Sequence, residues 1–186
     1  MNEFKNLEEK TISSEEVYNG KLLHIFKDVA LLPNGDEAVR EHFIHNGASA
    51  IVALTDEGNI ILERQFRYPF HKVVTEIPAG KLDSPDEDRL EAAKREFLEE
   101  TGYSAKEWVC LGDFYPSVAY TNENITCYLA TGLSKGEQKL DSDEFLNVFE
   151  MPFEDAVKEV MEGKIQDGKS QTAILKAYYY LNNLKA

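Results

Sequence analysis

Glu96, Glu99 and Glu100 stand at i, i+3 and i+4 in a segment whose apolar residues Leu90, Ala93 and Phe97 recur at helical spacing. Their carboxylates therefore gather on one helix face, opposite the buried stripe. Like charges so spaced cost an isolated helix roughly a few tenths of a kcal/mol per pair, and Arg95 offsets part of that. A bare Glu-x-x-Glu-Glu reads most simply as a solvated acidic face. Here Pro78-Ala79-Gly80 precedes the helix, and residues 95–103 run unbroken as Arg-Glu-Phe-Leu-Glu-Glu-Thr-Gly-Tyr. Clustered hard oxygens on a rigid element suit Mg²⁺, which keeps several waters and takes substrate phosphate into its shell.

The helix is bounded by ordinary signals. Ser84 suits the N-cap and Pro85 the first helical position, with Asp86, Glu87 and Asp88 set against the positive end of the dipole. Gly102 suits the left-handed residue that ends the helix.

Residues 80–103 resemble the Nudix box, Gly-x5-Glu-x7-Arg-Glu-U-x-Glu-Glu-x-Gly-U, where U is aliphatic or aromatic. Gly80, Glu87, Arg95, Glu96, Phe97, Glu99, Glu100, Gly102 and Tyr103 fall into its places. One departure is visible: six residues separate Gly80 from Glu87, and Asp86 holds the strict position. The extra residue lies in a loop, where length changes are tolerated.

At 186 residues, with 42% hydrophobic and 29% charged side chains, the chain has the length and composition of one globular domain with room for a small appendage. A formal charge of −14 and no basic stretch argue against nucleic-acid or acidic-membrane partners. That charge also means an anionic substrate must be screened from the carboxylates by divalent metal. Cys110 and Cys127 are expected to be two buried thiols in strands. The N-terminus lacks the apolar core of a signal peptide, and no run reaches the ~20 apolar residues of a membrane span. A cytoplasmic setting is the expectation.

The pattern predicts an N-terminal antiparallel β unit over residues 1–46 and the main body over 47–186. Residues 1–14 read as a loose lead-in and Val17–Leu32 as strand-like. Pro33-Asn34-Gly35 makes a turn, and Ala38–His45 a returning strand. Strands follow at Ala48–Leu54, Ile60–Phe66, Lys72–Ile77, Glu107–Tyr115, Asn124–Ala130 and Glu144–Glu150, with a polar loop over Ser134–Asp143. Phe153–Met161 and Gln171–Leu184 read as amphipathic helices. The fold class is α/β, a mixed sheet flanked by helices with a small β-rich N-terminal subdomain. The four histidines lack ligand spacing, and Phe26 and Tyr178–Tyr180 read as packing residues.

Outside the box, the resemblance extends over nearly the whole chain to the ADP-ribose pyrophosphatase branch of Nudix hydrolases. It rests on Leu-Pro-Asn-Gly with Arg40, Gln-Phe-Arg at 65–67, Glu-Ile-Pro-Ala-Gly-Lys-Leu-Asp at 76–83, Phe-Tyr at 114–115, Asp-Glu-Phe at 143–145 and Glu-Gly-Lys-Ile-x-Asp-x-Lys-Ser at 162–170. The resemblance implies a Nudix pyrophosphohydrolase that needs Mg²⁺, with Mn²⁺ as a substitute, and cleaves ADP-ribose to AMP and ribose 5-phosphate. It implies a homodimer whose N-terminal strands are shared. It makes Glu96, Glu99, Glu100 and the Ala79 carbonyl the metal ligands, and Arg40, Arg67 and Glu76 the substrate contacts. Glu144, with Asp141 and Asp143 as rivals, is the expected general base, joined in the catalytic set by Glu99 and Arg95. Glu87 is expected to pair with Arg95. Where the branch often has a proline linked to ADP-ribose preference, this chain has Val118. Another nucleoside diphosphate sugar is therefore an alternative substrate, and a non-hydrolytic nucleotide-binding module an alternative function; an acidic interaction protein is the third reading.

Overall fold

The computed structural model describes residues 4–140, 142 and 144–183. The chain is α/β, with ten strands in three sheets and three α-helices among the described residues. It divides into two compact units: residues up to His45 together with Ser117–Glu123, and Asn46–Pro116 together with the chain from Asn124 onward.

The first unit is an antiparallel sheet of β1 (Lys10–Asn19), β2 (His24–Leu31) and β3 (Glu37–Phe43), in that order. The loose lead-in expected through residue 14 is corrected: β1 is paired from Lys10, opposite Leu31. Every residue of β1 is exposed, so a polar sequence fits a strand held by its backbone ladder rather than by burial. The Pro33-Asn34-Gly35 turn is present, with Gly35 at φ 91° and the Asn34 side chain bonded to Asp36. Residues 117–123 dock on this unit, where the Phe43 N–H donates to the Tyr120 carbonyl at 2.9 Å and the His45 N–H to Asn122 Oδ1 at 2.8 Å.

In the second unit, β4 (Ala48–Ala53) is one of two inner strands of a mixed sheet ordered β7–β4–β9–β8, with β7 (Ala79–Lys81), β8 (Tyr103–Phe114) and β9 (Ile125–Lys135). It runs parallel to β9 and antiparallel to β7, and all six of its residues are buried. Both faces are covered, as a continuous apolar run requires. The second sheet is ordered β10–β5–β6, from β10 (Leu146–Pro152), β5 (Asn59–Arg67) and β6 (Lys72–Glu76). Helix α1 (Arg89–Thr101) packs Ala93 and Phe97 against Ile51, Ile61 and Tyr128. Helices α2 (Phe153–Met161) and α3 (Gly168–Asn183) bury Ala156, Ala173, Ile174 and Ala177 against Val52, Leu62 and Ile77. Tyr178 packs on Phe153, and in the first unit Phe26 stacks on His42.

Several local expectations are corrected. The Pro78-Ala79-Gly80 loop closes as β7, Ala79 lying opposite Ala50. Strands β8 and β9 run further than their apolar cores, because their ladder continues from Phe114–Ile125 to Tyr103–Lys135. Helix α3 begins at Gly168, where Asp167 Oδ2 accepts from the Ser170 N–H at 2.9 Å; Leu184 lies outside the described residues. Cys127 is buried, but Cys110 is exposed; both are free.

Helix α1 starts later than its sequence signals suggest. Ser84 and Pro85 belong to the preceding turn, and Asp88 is the cap, its Oδ1 accepting from the Leu90 and Glu91 N–H groups at 2.9 and 3.0 Å. A competing acid at a shorter reach wins over a serine four residues upstream. The Asp88→Ala variant is expected to lose about 1 kcal/mol in urea unfolding, while Ser84→Ala stays at the parent value; equal losses would reinstate Ser84 as cap.

Candidate active site

The site is built where α1, β5, β6 and β7 meet in the second unit. Glu100 is buried, and its Oε2 accepts from the Ala79 N–H at 3.0 Å, which ties the helix to β7. Glu96 lies over Gly80: a Cβ on that residue would fall 1.9 to 2.3 Å from the Glu96 carboxylate end. Glycine at 80 is thus a steric requirement for the acid above it. Arg95 is the hub of the helix's outer edge. It donates to Glu96 Oε1 at 2.7 Å, to Glu99 at 3.4 Å and to Glu87 at 3.1 Å, while Glu87 accepts from the Asp83 N–H at 2.6 Å. Arg95 and Glu87 thereby hold the turn before the helix in place.

Sequence reasoning missed Glu63. It lies on β5 opposite Glu76 of β6, on the strand face it shares with Ile61, Gln65 and Arg67. Glu63 and Glu76 are 1% and 2% exposed. Their fates differ. Glu76 is bonded bidentately by Arg67, with Nε and a terminal nitrogen at 2.6 and 2.7 Å, and also accepts from Lys169 Nζ. Burial pulls its carboxyl up, but these cations outweigh it and hold the group below its ordinary value. Glu63 Oε2 has no hydrogen-bond partner among the described residues.

The acids for which burial and mutual repulsion outweigh any partner shift the other way. Burial first, and the charges of Glu63, Glu144 and Glu96 next, push Glu100 up to about 10. Burial likewise pushes Glu63 up to about 8, Glu76 and Glu144 adding repulsion and Lys169 and Arg67 opposing it. Glu96 is raised by burial, with Glu99 and Glu144 contributing, against the pull of Arg95. Glu144 therefore stands within electrostatic reach of Glu63, Glu96 and Glu100. Its rivals Asp141 and Asp143 lie outside the described residues.

The loop that leads to Glu144 is fastened to α1. The Lys139 N–H donates to the Glu99 carbonyl at 2.9 Å, Gln138 Nε2 to the Glu100 carbonyl at 2.5 Å, and the Gly136 N–H to the Gly102 carbonyl at 2.6 Å. These bonds satisfy carbonyls that a helix end leaves orphaned. Gly102, at φ 72°, lets the backbone of Gln138 approach so closely that a Cβ would meet its nitrogen at 2.8 Å.

Beside the carboxylates opens a cleft of about 620 Å³, whose lining includes Arg67, Phe70, Lys72, Glu76, Gln166 and Lys169. Glu76 consumes two of the five guanidinium N–H donors of Arg67, whose remaining surface faces the cleft. Lys169 was within the family-like string at 162–170 but carried no expected role. Arg40 belongs to the first unit, where it binds Glu9 bidentately at 2.9 and 2.6 Å.

Among the described residues, no three acidic, histidine or cysteine side chains stand together as a ready metal cage. Arg95 draws Glu96 aside and the Ala79 N–H holds Glu100. The donor set nevertheless fits a divalent cation. It consists of hard oxygens, mutually repelling and poorly solvated, and Glu96 and Glu100 lie one turn apart, so side-chain rotation brings them together.

Residues 45–171 match the NUDIX domain. The chain belongs to the Nudix family. Over 172 residues, 91% of this chain and 92% of the relative, it is 44% identical to the ADP-ribose pyrophosphatase of Bacillus subtilis (strain 168). It is 33% identical over 168 residues to the Mycobacterium tuberculosis protein of the same name, covering 89% and 81% of the two chains. A Bacillus methanolicus relative called methanol dehydrogenase activator is 39% identical over 172 residues, again 91% and 92%. A crystal structure of an ADP compounds hydrolase superposes with a TM-score of 0.83 over 96% of this chain and 97% of its own, at 20% identity, which bears on the fold alone.

The raised carboxyls fix a sign. Their folded values lie above the unfolded value of 4.5, so they favour folding below 4.5, and that contribution is lost as pH rises through about 8 and 10. In chelator, the melting temperature is expected to fall across that window, and Glu100→Gln to flatten the fall. A parent melting curve already flat over the window would refute the crowding.

Proposed function

We propose that this Nudix protein is a divalent-metal-dependent pyrophosphohydrolase that converts ADP-ribose to AMP and ribose 5-phosphate. The observation that carries the reading is the juxtaposition of uncompensated carboxylates on α1 and β5 with the cationic cleft at Arg67 and Lys169. The pyrophosphatases among its relatives support the substrate.

A pyrophosphate resists water because its own charge repels the nucleophile. Bound Mg²⁺ or Mn²⁺ supplies the positive charge that offsets it. Glu96 and Glu100 are the residues to hold that ion, with Glu99 alongside and the Ala79 carbonyl as a backbone ligand. Arg67, fixed by Glu76, presents its guanidinium to a phosphate or ribose edge, and Lys169 adds charge beneath it. Arg40, whose guanidinium is bonded to Glu9, is the further cation assigned to the substrate. Glu144 takes the proton of the attacking water, whose oxygen bonds one phosphorus while the bridging oxygen leaves with the other phosphate. Arg95 positions Glu96 and Glu99.

Residues 1–46 act in this reading as a subdomain, and residues 47–186 as the catalytic domain. The N-terminal strands, with both faces of β1 exposed, are shared in a homodimer. Two free thiols suit a cytoplasmic setting. Among the described residues no helix is long and apolar enough to cross a membrane.

The test is turnover of ADP-ribose, other nucleoside diphosphate sugars, dinucleotides and nucleoside triphosphates with Mg²⁺ or Mn²⁺. ADP-ribose is expected to give AMP and ribose 5-phosphate; tight binding without turnover would instead make the protein a nucleotide sensor. Since partners of metal ligands are worth about 10- to 100-fold, Glu100→Gln is expected to lower kcat by at least about 100-fold with the fold intact. Glu144→Gln is expected to remove the acidic limb of the pH–rate profile, and an unchanged limb would withdraw Glu144 as base.

A further inference from the structure

Glu63 belongs to the acid cluster, but neither the box, nor the cleft, nor the role given to Glu144 accounts for it. Its strand places it on the apolar side of the sheet: Ile61, two residues earlier on the same face, packs with Ala93 and Phe97 of α1. Glu100 lies one helical turn beyond Phe97. The strand and the helix thus leave the same apolar cluster together, each ending in a carboxylate. Glu76, the cross-strand neighbour of Glu63, lies three residues before Ala79, whose N–H holds Glu100.

A buried carboxylate is ordinarily paired, because burying an unpaired charge is heavily penalised. The nearby cations are already engaged. Arg67 is bidentate on Glu76, and Lys169 donates to Glu76 and, at 3.0 Å, to Asp167. Glu63 Oε2 is enclosed without a hydrogen-bond partner among the described residues. A purely structural acid at this position gains nothing from that arrangement. An apolar side chain would fill the same space beside Ile61 and Val148 at no electrostatic cost.

We propose that Glu63 is a further member of the divalent-cation site, facing Glu96 and Glu100 from the opposite strand. This rests on the metal-dependent reading above. Glu63 adds its negative charge to the ion's surroundings, through direct contact or through one of the waters that Mg²⁺ retains. It also links the ion to the Arg67–Glu76–Lys169 network along β5 and β6. The metal centre and the anion cleft then share a wall, and the ion's occupancy bears on how that wall is charged.

The test is Mn²⁺ binding to the full chain, read by loss of the free-ion electron paramagnetic resonance signal, for the parent, E63Q, E63V, E63D and E100Q. Circular dichroism checks each fold, and E63V provides an apolar shape should E63Q pack poorly. Both E63Q and E63V are expected to bind Mn²⁺ about 10- to 100-fold more weakly than the parent, E63D to recover part of the loss, and the metal-free melting temperatures of E63Q and E63V to rise. Parent-like Mn²⁺ affinity in E63Q and E63V, with E100Q impaired, overturns the role of Glu63 and leaves the hydrolase reading standing. Parent-like affinity in E100Q as well overturns both. A lower metal-free melting temperature with unchanged affinity also overturns the proposal, since it marks Glu63 as a structural anchor.

Discussion

Charge repulsion in a poorly solvated place governs this molecule. Glu63, Glu76 and Glu100 are all buried within one region of the second unit, where two carboxylates repel far more strongly than in water. The fold answers in two ways. Around Glu76 it supplies Arg67 and Lys169, and the result is a compensated, rigid wall. Around Glu100 and Glu63 it supplies one backbone N–H and, among the described residues, no ion pair, so the pull of Lys169 and Arg67 on Glu63 leaves the negative charge there largely unanswered. In the proposed reading, an ion from solution answers the second case as the two side chains answer the first.

The remaining architecture keeps these halves adjacent. The two sheets bring β5 and β6 beside β7, while α1 is pinned at its start by the Ser49 hydroxyl, which donates to the Arg89 carbonyl at 2.7 Å, and by Arg89, which reaches the Asn124 carbonyl at 3.0 Å. Helix α3 is fixed where the Ser170 hydroxyl accepts from the Ile77 N–H at 2.9 Å, one residue from Glu76 and one from Lys169. Each functional side chain therefore sits within a turn or a strand residue of a main-chain anchor, as preorganised sites require.

Much of this was legible in the sequence because it is local. The spacing of Glu96, Glu99 and Glu100, the stripe of Ala93 and Phe97, and the left-handed Gly102 all belong to one helix and need no partner to be read. Glu87 with Arg95 was equally local. What escaped depends on pairings between distant segments. Glu63 looks from sequence like the polar half of an alternating strand, although its buried neighbours Ile60, Ile61 and Leu62 mark a strand covered on both faces. Only the register that sets it opposite Glu76 reveals a second buried acid. Lys169 is invisible for the same reason: its importance comes from β6, 93 residues away in the bond to Glu76. The cap at Asp88 is not legible in the sequence because several good candidates stand side by side there, and local rules do not choose among them.

The bonds that fasten Gln138 and Lys139 to the end of α1 have a mechanical meaning for Glu144. The chain is held at Lys139 by the helix and again at Leu146, opposite Gln65 of β5. Both mooring points belong to the elements that carry the acids, so Glu144, two residues before Leu146, is tied to the same frame as those acids. At about 3.3 to 3.6 Å per residue, the step from Glu144 to the Leu146–Gln65 pairing bounds its distance from β5. A change in the register of β10 on β5 would therefore move the proposed base while leaving every carboxylate on α1 where it is.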